Sequence, residues 1–280
     1  MKIEKWKRFF KGIVKRYKDD EVAALGAQLT YYLILSFFPF LIFLITIISY
    51  TPLTHEETIK TLGSLMPPKT YDLVVEVRRQ VMSSDRKAVL SFGMIATIWA
   101  ASRGVGTLIR GVNKAYDQKE TRPFWKLEGI SMLFTLALAL VILFSFVLLV
   151  LGEVLGRYFF DLLGISQLFK PAWTLLRYII PLLTMMVVFI SIYYYIPIRR
   201  LKFKQVLPGS IFAVIGWVII SIVFSFYINN FSSYATTYGS IAGIIILLLW
   251  LYWCSMIILL GAELNATLAF DRVIKFKSSR

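Results

Sequence analysis

The sequence predicts an all-α polytopic membrane protein. It has six transmembrane helices, both termini in the cytoplasm and an amphipathic N-terminal helix at the inner membrane interface. Three observations lead there. The 280 residues are 58% hydrophobic and 17% charged, with a mean hydropathy of +0.70, where a soluble domain is about a quarter charged. The apolar residues are gathered into six long runs, each close to or beyond the ~20 residues a helix needs to cross hydrocarbon. The cations are concentrated in alternate connections between those runs.

Residues 1–24 come first. Ile3, Trp6, Phe9, Phe10, Ile13, Val14 and Tyr17 recur at helical spacing, with Lys5, Arg8, Lys11, Lys15 and Lys18 between them. Such a helix lies in the inner interface, its apolar stripe in the acyl boundary and its cations on anionic headgroups. The apolar runs follow at about 25–50, 89–109, 130–151, 175–195, 208–228 and 238–268. They are expected to be helical because backbone polar groups find no water in the bilayer. The single six-span domain therefore covers 25–268, and a basic cytoplasmic tail covers 269–280.

Orientation follows from Lys and Arg. Segments 1–24, 110–129, 196–207 and the tail carry eight, five, four and four cations, while 51–88, 152–174 and 229–237 carry six, two and none. The first set is cytoplasmic by the positive-inside rule. The 51–88 loop also holds Glu56, Glu57, Asp72, Glu76 and Asp85, so it is nearly neutral, and it is expected to form a helical cap on the outer face. The 152–174 loop, with Phe159, Phe160, Leu162 and Leu163, is expected to lie on the membrane.

Composition also excludes. The net charge of +15 is placed as a topology signal, so nucleic acid is not an expected partner. One cysteine, Cys254, and one histidine, His55, cannot build a disulfide framework or a zinc site of the usual type, and no metal or cofactor is expected. The first run is too long for a signal-peptide core and has no small-residue cleavage site, so it should stay as a signal anchor. No Ser–His or Cys–His arrangement fits the membrane, so an enzyme is not expected. Asp19, Asp20 and Glu21 are adjacent carboxylates just before the first span; of a cation site and a solvated helix start, the second is the expected reading, since acids favour helix N-termini.

Two ionisable side chains lie well inside apolar runs: Arg103 and Glu263. Charges in hydrocarbon are expensive and usually functional or paired. Both fall in the cytoplasmic half at comparable depth, and a buried Arg prefers a carboxylate partner. Arg103 is therefore expected to pair with Glu263, with Gln28, Ser102, Asn113 and Asn265 near the same level. One reading makes the pair a clasp between helices. The other makes it the lining of a cytoplasm-facing cavity, where Arg103 meets an anion or lipid headgroup and Glu263 accepts a proton.

Ala96, Ala100 and Gly104 at four-residue spacing, with Gly239 and Gly243 in the last run, are the small residues of close helix packing. Pro39 and Pro181 sit inside the first and fourth runs and should kink them. Trp99, Trp250 and Trp253 lie away from span ends, where packing or a lipid-lined groove would hold them.

Several stretches carry a family resemblance. Ala27-Gln28-Leu29-Thr30-Tyr31-Tyr32, Leu35-Ser36-Phe37-Phe38-Pro39, Ser102-Arg103-Gly104-Val105, Asn113-Lys114-Ala115-Tyr116, Arg122-Pro123-Phe124-Trp125-Lys126, Tyr238-Gly239-Ser240 and Gly261-Ala262-Glu263-Leu264-Asn265 resemble the YihY/BrkB family of bacterial inner-membrane proteins. The resemblance implies six spans in the plasma (inner) membrane with cytoplasmic termini. It carries an old ribonuclease BN label, for which this chain offers no acid–base or metal site. It also links the family to envelope phenotypes and to lipid or solute transport. The expected function is that of a transporter or lipid-handling protein of the cell envelope, with anionic inner-leaflet lipids and an anionic solute or headgroup as partners. The alternative is a scaffolding membrane protein without transport activity.

Overall fold

Seven α-helices account for nearly all of the described residues, which in this computed structural model are 2–49, 86–162, 166–230 and 242–278. They are α1 (Lys2–Asp19), α2 (Val22–Ser49), α3 (Arg86–Ala115), α4 (Phe124–Leu162), α5 (Ser166–Tyr195), α6 (Phe203–Asn230) and α7 (Ala242–Ser278). Six of them, α2 to α7, are long and apolar enough to cross a membrane. Their outward faces carry Phe92, Leu133, Leu140, Leu183, Ile222 and Phe226, all largely exposed, as surfaces solvated by acyl chains require. The cap expected over 51–88 lies outside the described residues up to 85; from Arg86 onward the chain is already α3.

Two expectations about connections are corrected. Residues 152–162 continue α4, which runs for 39 residues, and α5 starts at Ser166, so the 152–174 segment is mostly helix rather than a membrane-lying loop. Its Leu- and Phe-rich sequence favours continuing the helix. On the inner side, α7 extends to Ser278 through the segment expected to be a tail.

The chain divides into two compact units, Met1–Thr30 with Val105–Arg280, and Tyr31–Gly104. In the first, α7 is the common neighbour: it packs along α6, and α1 lies against it, while α5 joins α4 and α6. Close approach to α7 is achieved by glycines. A methyl group added at Gly26 on α2 would come within 2.9 Å of Met256 Sδ, and one at Gly216 on α6 within 2.9 Å of Ile257 Cγ2. At Gly209 it would collide with the Gly261 carbonyl, so α6 and α7 meet backbone to backbone. Gly243, by contrast, meets nothing within 4 Å of an added methyl group among the described residues.

Pro208 makes the α6 contact specific. Lacking an N–H, it interrupts the helical hydrogen bonds of the turn that contains it. Asn265 of α7 answers the loosened backbone: the Gly209 N–H donates to Asn265 Oδ1 at 2.7 Å, and Asn265 Nδ2 donates to the Val206 carbonyl at 3.1 Å. Tyr193 of α5 adds a third polar tie by donating its hydroxyl to the Ile258 carbonyl at 2.6 Å. The start of α6 is capped from one side, with the Lys202 N–H donating to Gln205 Oε1 at 2.7 Å, the Gln half of a capping box. Pro39 and Pro181 are carried inside continuous helices, α2 and α5.

These contacts generate a stability prediction. Asn265→Leu leaves the buried Gly209 N–H unpaired, a loss of about 1–3 kcal/mol, and takes one of two donors from the Val206 carbonyl, which keeps the Ser210 hydroxyl at 2.9 Å. Gly209→Ala forces α6 from α7 and costs a further ~1–3 kcal/mol. Both variants should melt below the parent in detergent, whereas Gly243→Ala should melt with it. Equal melting of all three would show that the α6–α7 approach is loose.

Candidate functional site

Glu263 stands two helical turns before the end of the α7 span, Gly243–Phe270, and is 1% exposed. Its side chain hydrogen-bonds that of Asp20, in the turn between α1 and α2. Two carboxyl groups can make that bond only by sharing a proton, since an ionised carboxylate has no donor. Glu263 Oε2 accepts no hydrogen bond from an N–H or hydroxyl donor among the described residues. Arg16 and Asp117 are the other charges that act on Glu263.

The turn that delivers Asp20 is built by backbone geometry. The Asp20 N–H donates to the Arg16 carbonyl at 2.8 Å and the Glu21 N–H to that of Lys18 at 3.2 Å, while Glu21 is left-handed at φ 53°. The end of α3 makes a matching turn. Asp117, at φ 54°, donates to the Lys114 carbonyl at 2.9 Å, and Gln118 donates to that of Asn113 at 2.9 Å, the two bonds of a Schellman motif. Two salt bridges join the turns, Arg16–Asp117 at 3.3 Å and Lys114–Glu21 at 2.8 Å. Arg16 also donates to the Ala115 carbonyl at 3.0 Å. Arg16 and Arg199 both stack on Phe270, at 4.8 and 5.2 Å from the ring centroid.

Burial pushes the Asp20 carboxyl above the ordinary aspartate range, against the hydrogen bond to Glu263 and the Arg16 charge, which pull it down. The Lys114 ammonium that hydrogen-bonds Glu21 holds that exposed carboxyl below its usual range. Tyr116, fully buried at the end of α3, has its phenol pushed up by burial, opposed by Arg199 and reinforced by Glu263.

A second network ties the cytoplasmic connections together. Asn113 Nδ2 donates to Glu120 Oε2 at 2.7 Å, and Asn113 Oδ1 accepts the Ile198 N–H at 2.8 Å. Glu120 also holds Arg122 at 2.8 Å, and Arg122 donates to the Ile196 carbonyl at 3.1 Å.

Of the residues singled out from sequence, Glu263, Asn113 and Asn265 are buried on the cytoplasmic side of the first unit. The two asparagines spend their amides on α6 and on the 196–198 connection rather than on a free cavity wall. Gln28 lies on an exposed face of α2. Arg103 belongs to the other unit, where it sits 5.7 Å from the Trp99 ring centroid, one helical turn away. Trp99 and Trp253 are half-exposed, whereas Trp250 packs edge-on against Trp217 at 5.9 Å. Sequence reading missed Asp20, Arg16 and Asp117 as neighbours of Glu263, because they are contributed by two turns whose left-handed residues are Glu and Asp rather than the usual Gly. The Gly12–Arg16 face of α1 packs on α7, with Gly12 close to Thr267, a contact that the amphipathic pattern alone did not specify.

The half-buried Asp20 carboxyl, raised above its unfolded value, favours the protonated form, so it stabilises nothing at neutral pH: its burial penalty appears as pH rises through the folded-state pKa and is absent below the ordinary value of 3.8. Asp20→Asn, which keeps a donor for Glu263, should therefore raise the melting temperature at neutral pH, with the gain shrinking as pH falls to about 4. Thermal melts of both proteins across that range check it. A gain that grows on acidification contradicts the assignment.

Comparison with known proteins agrees with this architecture. The family described as "Virulence factor BrkB" matches residues 13–279. The ribonuclease-like protein YfkH of Bacillus subtilis is 38% identical over 260 residues, covering 93% of this chain and 94% of the relative. A UPF0761 membrane protein of Alteromonas mediterranea is 25% identical over 284 residues, covering 96% and 94%. One of Haemophilus influenzae is 26% identical over 260 residues, covering 91% and 92%. No solved structure matches the chain. With six membrane-spanning helices, and a family match and a 38% identical relative that each extend over nearly its whole length, the chain belongs to the BrkB (YihY) family of multi-pass membrane proteins.

Proposed function

We propose that the chain is a proton-responsive transporter or lipid-handling protein of the cell envelope, not an enzyme. The observation that carries this reading is the Asp20–Glu263 carboxyl pair: one member is 1% exposed inside a membrane span and the other sits on a turn at its cytoplasmic end. A buried carboxyl that holds its proton through a second carboxyl can release it when the turn moves, and intramembrane carboxyls are recurrent proton relays. The charges facing the pair are Arg16 from α1 and Asp117 and Lys114 from the end of α3. An anionic solute or lipid headgroup would enter from the basic cytoplasmic face. In this reading Arg103, a cation inside an apolar span, is a candidate counter-charge for that anion.

The scaffold reading is favoured by a different observation, the complete use of Asn113 and Asn265 in ties between backbone segments. A ribonuclease reading, which the printed name of the Bacillus subtilis relative carries, is opposed by the burial of Glu263, which puts that carboxyl out of reach of an RNA strand.

Purified protein in liposomes containing anionic lipid, assayed for labelled-phospholipid movement and for proton flux with an internal pH dye, tests the proposal. Glu263→Gln should reduce proton-linked movement at least ~10-fold, the scale of a lost proton-transfer group, while the protein stays monodisperse. Flux that is absent from the native protein in several lipid mixtures favours the scaffold.

A further inference from the structure

Among the buried oxygens of the first unit that have no hydrogen-bond partner among the described residues are Glu263 Oε2, Tyr116 Oη and Thr267 Oγ1. Their residues are 1%, 0% and 7% exposed. An unsatisfied buried polar atom costs about 1–3 kcal/mol, so three together need a common explanation. They share a neighbourhood. Thr267 follows Glu263 by one turn on the same face of α7, and Tyr116 stands close enough to Glu263 to feel its charge. Asp20 reaches Glu263 from the α1–α2 turn.

The donor set is chemically narrow. It consists of two carboxyl groups, a phenol and an aliphatic hydroxyl, all oxygen, which suits a hard cation rather than a soft or imidazole-seeking one. Charge sets the valence. With Asp20, Glu263 and Asp117 ionised against Arg16 and Arg199, one negative charge is left over, since Lys114 is taken up by Glu21. One proton cancels it, and so does one monovalent cation. A divalent ion would overcompensate, and among the described residues no group of three His, Cys, Asp or Glu side chains is placed to hold one.

We propose that Asp20, Tyr116, Glu263 and Thr267 form an oxygen-lined site for a single sodium ion, which exchanges with the proton shared by the two carboxyls. The proposal rests on the reading of Glu263 as a proton-exchanging group and names the ion that competes with that proton. It does not depend on whether anything crosses the membrane. Sodium enters as the proton leaves, so net charge in the layer is conserved and apparent sodium affinity falls as pH falls.

The test is equilibrium binding of radiolabelled sodium to the full chain in neutral-lipid nanodiscs, with choline as the inert counter-cation, alongside melting temperatures in the two salts. The expected result is one saturable site, a higher melting temperature in sodium, and weakening of about tenfold per pH unit in the range where the carboxyls hold their proton. Glu263→Gln should abolish binding. Tyr116→Phe, which keeps the ring and its packing, should weaken it about tenfold, as loss of one charge-assisted ligand does, so the result survives if the Glu263 variant fails to fold. Thr267→Val should weaken it in the same direction. An absence of saturable binding up to ~0.1 M sodium, well above a millimolar dissociation constant, overturns the proposal, because ordered water then suffices for the three oxygens. Binding unchanged in Tyr116→Phe and Glu263→Gln overturns it equally, since the ion then sits elsewhere. Liposome flux is read separately. Sodium binding without flux leaves this site standing and removes the transport reading, whereas flux without saturable sodium binding does the reverse.

Discussion

Most of the first unit depends on one constraint: several helices must lie against α7 at distances that a side chain would prevent. In hydrocarbon there is no hydrophobic drive to bring helices together, so association relies on close van der Waals contact and a few polar ties. Gly26, Gly209 and Gly216 provide the contact, and Asn265 with Tyr193 provides the ties. The two kinds of interaction reinforce each other at Gly209. Its missing side chain lets α6 approach, and the approach puts its N–H within reach of Asn265. The proline next to it loosens the helix there, and Asn265 from α7 pairs the Gly209 N–H and joins Ser210 of α6 on the Val206 carbonyl.

That tight packing is what makes Glu263 meaningful. It lies two residues from the Gly261 contact and two from Asn265, on a helix held on several sides. A carboxyl in such a position cannot turn toward water by rotating a loose helix. Its ionisation must be balanced from within, and the partner that reaches it is another carboxyl, on a turn pinned by two salt bridges. A clasp of opposite charges would need no proton at all. A pair of acids needs one, or its equivalent, at all times, so the cytoplasmic layer carries a built-in chemical demand rather than a self-contained bond.

The helices and their orientation were legible in sequence because they follow from run length, composition and Lys/Arg asymmetry, each a property of contiguous residues. The runs near 208–228 and 130–151 reappear inside α6 and α4. The burial of Glu263, Asn113 and Asn265 was legible too, since polar groups in apolar runs stand out. What the sequence did not expose is which groups meet. Asp20 reads as the solvated start of a span because its neighbours Asp19 and Glu21 are acidic. Only the left-handed turn at Glu21, adopted without a glycine to announce it, sends Asp20 inward. Arg16 is likewise one cation among eight in its segment until α1 is seen against α7. Long outer helices were missed for a simpler reason: nothing in 152–162 breaks a helix, and charge alone had suggested a loop.

The placement of α7 has a consequence for how the molecule is made. It is the last of the six spans in chain order, yet it is the one on which α2 and α6 present their glycine faces. Those helices enter the bilayer before their mate exists. Until α7 arrives, Gly209 and the backbone groups around Pro208 face lipid with no amide to answer them, and the acid turn at Asp20 has no carboxyl opposite. Assembly of this protein is therefore a late event in its synthesis, and the polar layer that defines its candidate site is completed in the same step that completes the bundle.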